Sequence, residues 1–471
     1  ADRLRYTGLQ FGQSSLAPAA PAEVLRRSYG DCKDLSLLVV ALLRSLGHEA
    51  HLALLRTRWD TISQDLPGVG EFDHAIVVLP GRRSLWLDPT APGIPVGQLP
   101  PSDQGRLALV TDGRAKALTR TPESASAENR RTLLFTIRMN EEGAATVVAT
   151  GEASGAAAWR IRAERRDRPA EKLKEADERS AKEWLVAETL VSARWEGIDG
   201  AAPVVRSRYE VRGSRMAVAY SENATAAVGM RGLFDDLPTM LRERPKDEGA
   251  EPKPRRSAVV LPEAHQSEIR YRITLPPGYR VKALPQGEAM RIGPATYESR
   301  FAVLSDGTPT ASYHFDTAGR RFEPRDAEAL RDKVAALLAA DAPRFELERT
   351  SDALLAEGRG RDAVAELRRL AALHPTEALH RADLANALVR LGMIDAARRE
   401  AREAVALDEK SAWAHRALAW ALEHDPLGRQ LGPGADVAGA VAAMRRARDL
   451  ERHVLDVDLV EETRDADHDG R

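Results

Sequence analysis

Between residues 31 and 46 the apolar positions Leu35, Leu38, Val39, Leu42, Leu43 and Leu46 recur at the three- and four-residue spacing of one helix face. The spacing predicts a helix with Asp31 capping its start and Gly47 its end, and Cys32 opens it. Runs rich in apolar residues at 49–56, 73–79 and 84–88 predict three strands, the last two joined by the turn-like Pro80, Gly81, Arg82 and Arg83. The first unit, residues 1–125, therefore reads as mixed α and β.

Residues 126–343 change character. Short β-like runs at 132–139, 204–211, 268–275 and 311–315 surround a charged helix near 169–190, predicting a β-rich, sandwich-like region. The polar segment 243–257, dense in Lys, Arg, Glu and Pro, reads as an exposed loop or as a boundary between two β subdomains. From about 345 the strands are expected to cease and a 34-residue repeat sets in, aligning Gly358 with Gly392, Ala363 with Ala397 and Leu384 with Leu418. This is the pattern of paired helices. An insertion at 428–437 interrupts the third copy before 438–450 resumes as a helix, and 344–455 is followed by an acidic tail at 456–471. The expected fold class is α+β and multi-domain.

At 471 residues the chain exceeds one ordinary core, and three units match this length. Hydrophobic content of 43% and charged content of 30% are those of a globular protein, and a net charge of -2 gives no electrostatic reason to expect a nucleic-acid partner. The longest apolar stretch, 35–46, is broken by Arg44 and falls short of the roughly 20 residues that span a bilayer, so no membrane span is expected. The chain begins at Ala1 with neither Met nor a leader, the pattern of a processed product or an excised piece. A single cysteine, Cys32, excludes an internal disulfide.

That cysteine has candidate partners. Nucleophilic catalysis by a thiol needs a thiolate, a base within hydrogen-bond reach and a group that orients the base. A helix start favours the thiolate through its free N–H groups and the positive end of the dipole. If the strands at 73–79 and 84–88 form a hairpin, pairing His74 with Asp88 also pairs Val78 with Ser84 and leaves 79–83 as the turn. The two side chains would then be direct cross-strand neighbours, with Cβ atoms about 5 Å apart. A slip of one residue would put them on opposite faces.

The residues Gly30-Asp31-Cys32-Lys33-Asp34 with Leu37-Leu38 and Leu42-Leu43, then Phe72-Asp73-His74-Ala75, then Trp86-Leu87-Asp88-Pro89-Thr90, resemble the bacterial transglutaminase-like superfamily, a branch of the papain-like thiol hydrolase fold. The resemblance covers about the first 90 residues. It implies that Cys32 is the nucleophile, His74 the base and Asp88 the orienting carboxylate. It also implies an oxyanion site formed by the nucleophile's own N–H and an upstream side chain, for which the sequence offers Gln10 or Gln13, and an extracytoplasmic location. The family usually carries helical sequence ahead of the segment that 4–12 resembles, so the core is expected to be incomplete at that side. The stretch Leu384, Ala385, Leu388, Gly392, Ala397 and Ala404, with Pro375, resembles the tetratricopeptide consensus, which implies a protein-binding concave face.

Taken singly, these residues have plainer roles: a buried Cys, a surface His and a turn Asp ahead of Pro. Three motifs matching in chain order favour the joint site. Asp31, Lys33 and Asp34 read as capping and salt-bridge residues, and Trp86 as a residue that packs the hairpin or, in the alternative, touches substrate. Asp465, Asp467, Asp469 and Gly470 match the opening of a calcium loop, but no glutamate follows at its twelfth position. His265, His314, His415 and His424 lack metal-ligand spacing. No cofactor is expected. The leading expectation is cysteine-based acyl transfer on amide or ester groups of a protein or peptide, as a peptidase, amidase or transglutaminase. The competing one is a non-catalytic scaffold that binds a protein partner through the helical repeats.

Overall fold

The computed structural model describes residues 4–8, 17–57, 62, 68–140, 143–200, 202–219, 224–243 and 254–466, with side chains of the last helix described through Glu451. The first elements are β1 (Arg5–Tyr6), α1 (Pro21–Arg27), β2 (Tyr29–Gly30), α2 (Cys32–Ser45), β3 (His51–Leu55), β4 (His74–Leu79), β5 (Leu85–Leu87), β6 (Leu107–Val110) and β7 (Thr119–Arg120). Strands β3 to β7 form one sheet in the order β5-β4-β3-β6-β7. Alternation along β4 and β5 divides their side chains between two cores. Val77, Leu79 and Leu87 pack with Val39, Val40 and Leu43 of α2; Ile76, Val78 and Trp86 pack with Ala53, Leu55, Leu99 and Ala108.

Helix α2 ends as its sequence predicts. Gly47, at φ +84°, donates its N–H to the Arg44 carbonyl, and His48 donates to that of Leu43, closing the last turn through a left-handed residue.

The middle region comprises β8 (Arg130–Arg138), β9 (Gly143–Ser154), α3 (Gly155–Arg165), α4 (Ala170–Trp184), β10 (Thr189–Glu196), β11 (Val204–Ala219), β12 (Ala224–Ala227), β13 (Val259–Val260), β14 (Gln266–Thr274), β15 (Tyr279–Ala283), β16 (Glu288–Ile292), β17 (Ala295–Val303), β18 (Pro309–Asp316), β19 (Arg321–Phe322), α5 (Pro324–Ala339) and β20 (Arg344–Arg349). Three expectations are corrected here. The helix anticipated near 169–190 is preceded by a second one, α3, and α4 ends at Trp184, with strand β10 following. The strands do not cease at 345, because β20 runs to Arg349 and lies between β12 and β15. Strands from both sides of the polar segment 243–257 belong, among the described residues, to a single 11-stranded sheet, joined where β14 pairs in parallel with β8.

That sheet closes on itself. Phe301 of β17 and Phe345 of β20 lie far apart in strand order, yet their rings are 6.2 Å apart at their centroids. Sandwich-like packing is thus achieved by two halves of one twisted sheet around Tyr271, Tyr313, Phe315 and Phe345.

The last region holds α6 (Thr350–Ala356), α7 (Gly360–Leu373), α8 (Ala378–Arg390), α9 (Ile394–Leu407), α10 (Ala412–Leu422) and α11 (Val437–Ala466). The repeat has a direct structural counterpart. Ala363 and Ala397 are both fully buried, and Gly358 and Gly392 make the same left-handed turn, at φ +75° and +74°, ahead of α7 and α9. Helix α11 runs into the expected acidic tail. Of the residues matching a calcium loop, Asp467, Asp469 and Gly470 lie outside the described residues. Among the described residues no helix is long and apolar enough to cross a membrane.

Candidate functional site

Cys32 is the first residue of α2 and is partly exposed. Its position is fixed by a capping box. Asp31 accepts from the Asp34 N–H at 3.2 Å, and Asp34 accepts from the Asp31 N–H at 3.3 Å. Asp34 also accepts from the Ala19 N–H at 2.7 Å and pairs with Arg27, while Lys33 pairs with Asp31. Gly30 is needed beside this network, since a Cβ there would stand 2.7 Å from Cβ of Asp34.

Across from the helix, Nε2 of His74 donates to Oδ2 of Asp88 at 3.1 Å. Both side chains are largely buried, at 12% and 3% exposed. The pairing differs from the one expected. The ladder pairs Val77 with Leu87, Val78 with Trp86 and Leu79 with Leu85, so the register is displaced by two residues and the turn is 80–84. This register keeps Leu79 in the ladder opposite Leu85, with Val77 opposite Leu87, where the expected one would leave Leu79 in the turn; Pro80 lies in the turn in either. An even displacement preserves the face. His74 opens β4 opposite Leu55, Asp88 follows the end of β5, and the two meet diagonally.

The remaining lone pairs of Asp88 are engaged by Thr90, whose N–H and hydroxyl both reach Oδ1 at 2.8 Å. Burial alone would lift the Asp88 carboxyl, but the hydrogen bond and charge of His74, with those two Thr90 bonds, hold it below the usual range. Burial likewise opposes charge on His74. Hydrogen bonds to Asp88 and to the Cys32 thiol, with the charges of Asp88 and Asp103, outweigh burial and raise it to about 10, so the ring is an imidazolium at neutral pH.

Two neighbours carried no sequence signal. Tyr6 pairs through β1 with Gly30, and its phenol is raised by burial and then by the charges of Cys32, Asp31 and Asp88. Asp103, at the end of a short 3₁₀ turn (Pro101–Asp103), has Oδ2 3.9 Å from Nε2 of His74. Only tertiary contact identifies either one. The region around Asp103 is also braced by the middle region: Arg320, just ahead of β19, donates to the Gln104 carbonyl at 3.0 Å, and Arg162 of α3 donates to that of Gly93 at 3.3 Å.

Of the other residues expected at the site, Gln10 and Gln13 lie outside the described residues. Trp86 is 5% exposed and packs within the sheet's second core, on the face that His74 and Asp88 share. Donor atoms of His74, Asp88 and Asp103 lie within 4.8 Å of one another, a set that could hold a divalent cation. Such an ion would have to displace the His74 proton.

No protein-family model matches the chain, and no curated protein matches it. Among solved structures it is similar to a candidate protease from Parabacteroides distasonis, with a TM-score of 0.41 and 10% identity over 73% of this chain and 49% of that one. The chain therefore spans about half the length of that structure. A second structure, MamA MSR-1 C2, gives a TM-score of 0.19 and 23% identity over 22% of this chain and 55% of that one. At these scores the two likenesses do not assign a fold, and the chain stands as a multi-domain α+β protein.

Proposed function

We propose that the chain is a thiol-dependent acyl transferase or hydrolase of the transglutaminase-like superfamily, with Cys32 as nucleophile, His74 as base and acid, and Asp88 as orienter. The observation that carries this reading is the 3.1 Å bond between His74 and Asp88 beside a partly exposed cysteine that opens a capped helix. The Cys32 sulfur, as thiolate, attacks an amide or ester carbonyl, and imidazolium at His74 gives its proton to the leaving amine or alcohol. An acyl-cysteine remains. Water or an amine, losing its proton to the now neutral His74, attacks that acyl group, releasing product and restoring the thiolate. Water gives a peptidase or amidase reaction and an amine gives transamidation, a choice set by water exclusion at the acceptor side.

The test compares wild type with Cys32→Ser and His74→Ala. Alkylation of Cys32 near neutral pH and release of ammonia or amine from glutamine-containing and generic peptides are measured. Faster alkylation than a free thiol, abolished by Cys32→Ser and slowed by His74→Ala, is expected. If the thiol titrates as a free one, is indifferent to His74 and turns over no substrate, the catalytic reading is lost.

A scaffold role has its own support. The helical hairpins, read as tetratricopeptide-like, enclose a groove of about 440 Å³ lined by Asn386, Arg390, Trp413, Trp420 and Met444, which mixes aromatic, cationic and amide groups in the manner of a peptide-binding face. Protein binding lost on changing Trp413 and Trp420, with thiol reactivity intact, would assign this role to the hairpins.

A further inference from the structure

We propose that Asp103 is a positioning residue of this site, a second buried carboxyl that hydrogen-bonds Asp88 and holds it against the ring of His74. The proposal rests on the catalytic reading above only for its consequence in turnover; the geometry stands apart from it. Asp103 is wholly buried. Its Oδ1 accepts from the Ser102 hydroxyl at 2.9 Å, whereas Oδ2 is buried with no hydrogen-bond partner among the described residues, 3.9 Å from Nε2, and one polar atom each of His74, Asp88 and Asp103 lie within 4.8 Å of one another.

Charge counting decides what Oδ2 does there. Nε2 carries one hydrogen, which goes to Asp88, the nearer carboxylate. Two ionised carboxylates beside one imidazolium would leave an uncompensated negative charge in a buried site, and a proton on one carboxyl removes it. Asp88 holds its charge through His74 and both Thr90 donors. Asp103 has the Ser102 hydroxyl alone, so it is the carboxyl that takes the proton, and the acceptor open to its O–H is the Asp88 carboxylate, within 4.8 Å. In agreement, burial and then the charge of Asp88 push the Asp103 carboxyl up to about 7, against the opposing pull of His74 and Ser102. The other ionisable groups around this corner are Cys32 of α2, Tyr6 of β1, and the Arg320–Glu123 pair beyond Gln104. Backbone bonds hold Asp103 in place: its carbonyl accepts from the Thr121 hydroxyl, and Gly105, at φ +65°, turns the chain where a Cβ would strike Glu123.

Two substitutions separate positioning from mere packing. Asp103→Asn keeps the shape and a donor toward Asp88 but cannot ionise, while Asp103→Ala removes the brace. The His74 ring is followed by NMR against pH in wild type and in both variants, with urea unfolding to establish that each is folded. Wild type should show a step in the His74 shift near pH 7, from Asp103, below the ring's own titration. In Asp103→Asn that step should vanish and the ring's midpoint should fall. Turnover and Cys32 alkylation should stay close to wild type in Asp103→Asn and fall by on the order of tenfold to a hundredfold in Asp103→Ala, in kcat rather than KM. The absence of a step in wild type, its persistence in Asp103→Asn, or equal losses in the two variants overturns the proposal. A wild-type thiol without enhanced reactivity overturns the catalytic reading instead, and the NMR result still decides whether Asp103 braces Asp88.

Discussion

Ser36 Oγ donates to the backbone carbonyl of Ala75 at 2.9 Å, a buried hydrogen bond between α2 and β4. Ser36 lies one helical turn after Cys32, and Ala75 follows His74. The bond therefore ties the element that carries Cys32 to the one that carries His74 directly rather than through a loop.

Ser36→Ala should cost about 1 kcal/mol of stability, the net worth of one buried hydrogen bond, read as a lower urea midpoint. Alkylation of Cys32 should slow by more than this loss of stability explains. An unchanged alkylation rate would show that packing alone places the helix against the strand.

On the proposed roles, Asp88→Asn keeps Cys32 and the shape of the side chain beside His74 but removes the charge that holds the imidazolium. The equivalent change costs about 10⁴ in turnover in a serine protease. Here the loss should be smaller, because a thiol ionises more readily than a hydroxyl. Steady-state kcat on an amide substrate is the measurement, and a loss as large as that of Cys32→Ser would place Asp88 in the reaction rather than behind the base.

The raised affinity of His74 for its proton links the site to stability. The ring titrates at about 10 in the folded chain against 6.5 for an unperturbed histidine, so its contribution is complete below about pH 6.5 and is lost as pH rises through 10. The urea midpoint of wild type should exceed that of His74→Gln most clearly near pH 6, with the difference shrinking toward pH 10. A pH-independent difference would mean that the ring is held as a neutral group.

Trp86→Ala should destabilise the sheet by about 3–5 kcal/mol, as expected for deleting a large aromatic from a core. Trp86→Phe should retain most of the stability and, because an aromatic ring still fills that core, the alkylation rate of wild type. Loss of reactivity in a folded Trp86→Phe protein would point to the substrate-contact role instead.

Strand β20 makes truncation a sharp test. A chain ending after Pro343 lacks the strand between β12 and β15 and should lose cooperative unfolding. One ending after Glu357 keeps β20 and α6, including the bond from the Thr350 N–H to the Gly278 carbonyl at 2.7 Å, and should unfold cooperatively with Cys32 still reactive. Circular dichroism and thiol labelling of the two chains distinguish these outcomes.

Local pattern was enough to place α2, its Asp31 cap, its Gly47 stop and the paired helices of the repeat, because caps and helical periodicity depend on residues within a few positions of each other. The same holds for the order Cys32, His74, Asp88, which the motifs carry along the chain. Register was not legible: residue alternation says which face a side chain takes, and His74 and Asp88 share a face in either of two registers two residues apart. What distinguishes the observed one is that it keeps Leu79 in the ladder, opposite Leu85, instead of in the turn, a pairing that only the folded sheet shows. Asp103, Tyr6 and Ser36 were invisible for a related reason. Each reaches the site or its scaffold across a long loop or a neighbouring element, and a side chain that acts at such a distance leaves no periodic trace. Closure of the large sheet upon itself, with Phe301 against Phe345, likewise depends on accumulated strand twist, which short-range sequence does not encode.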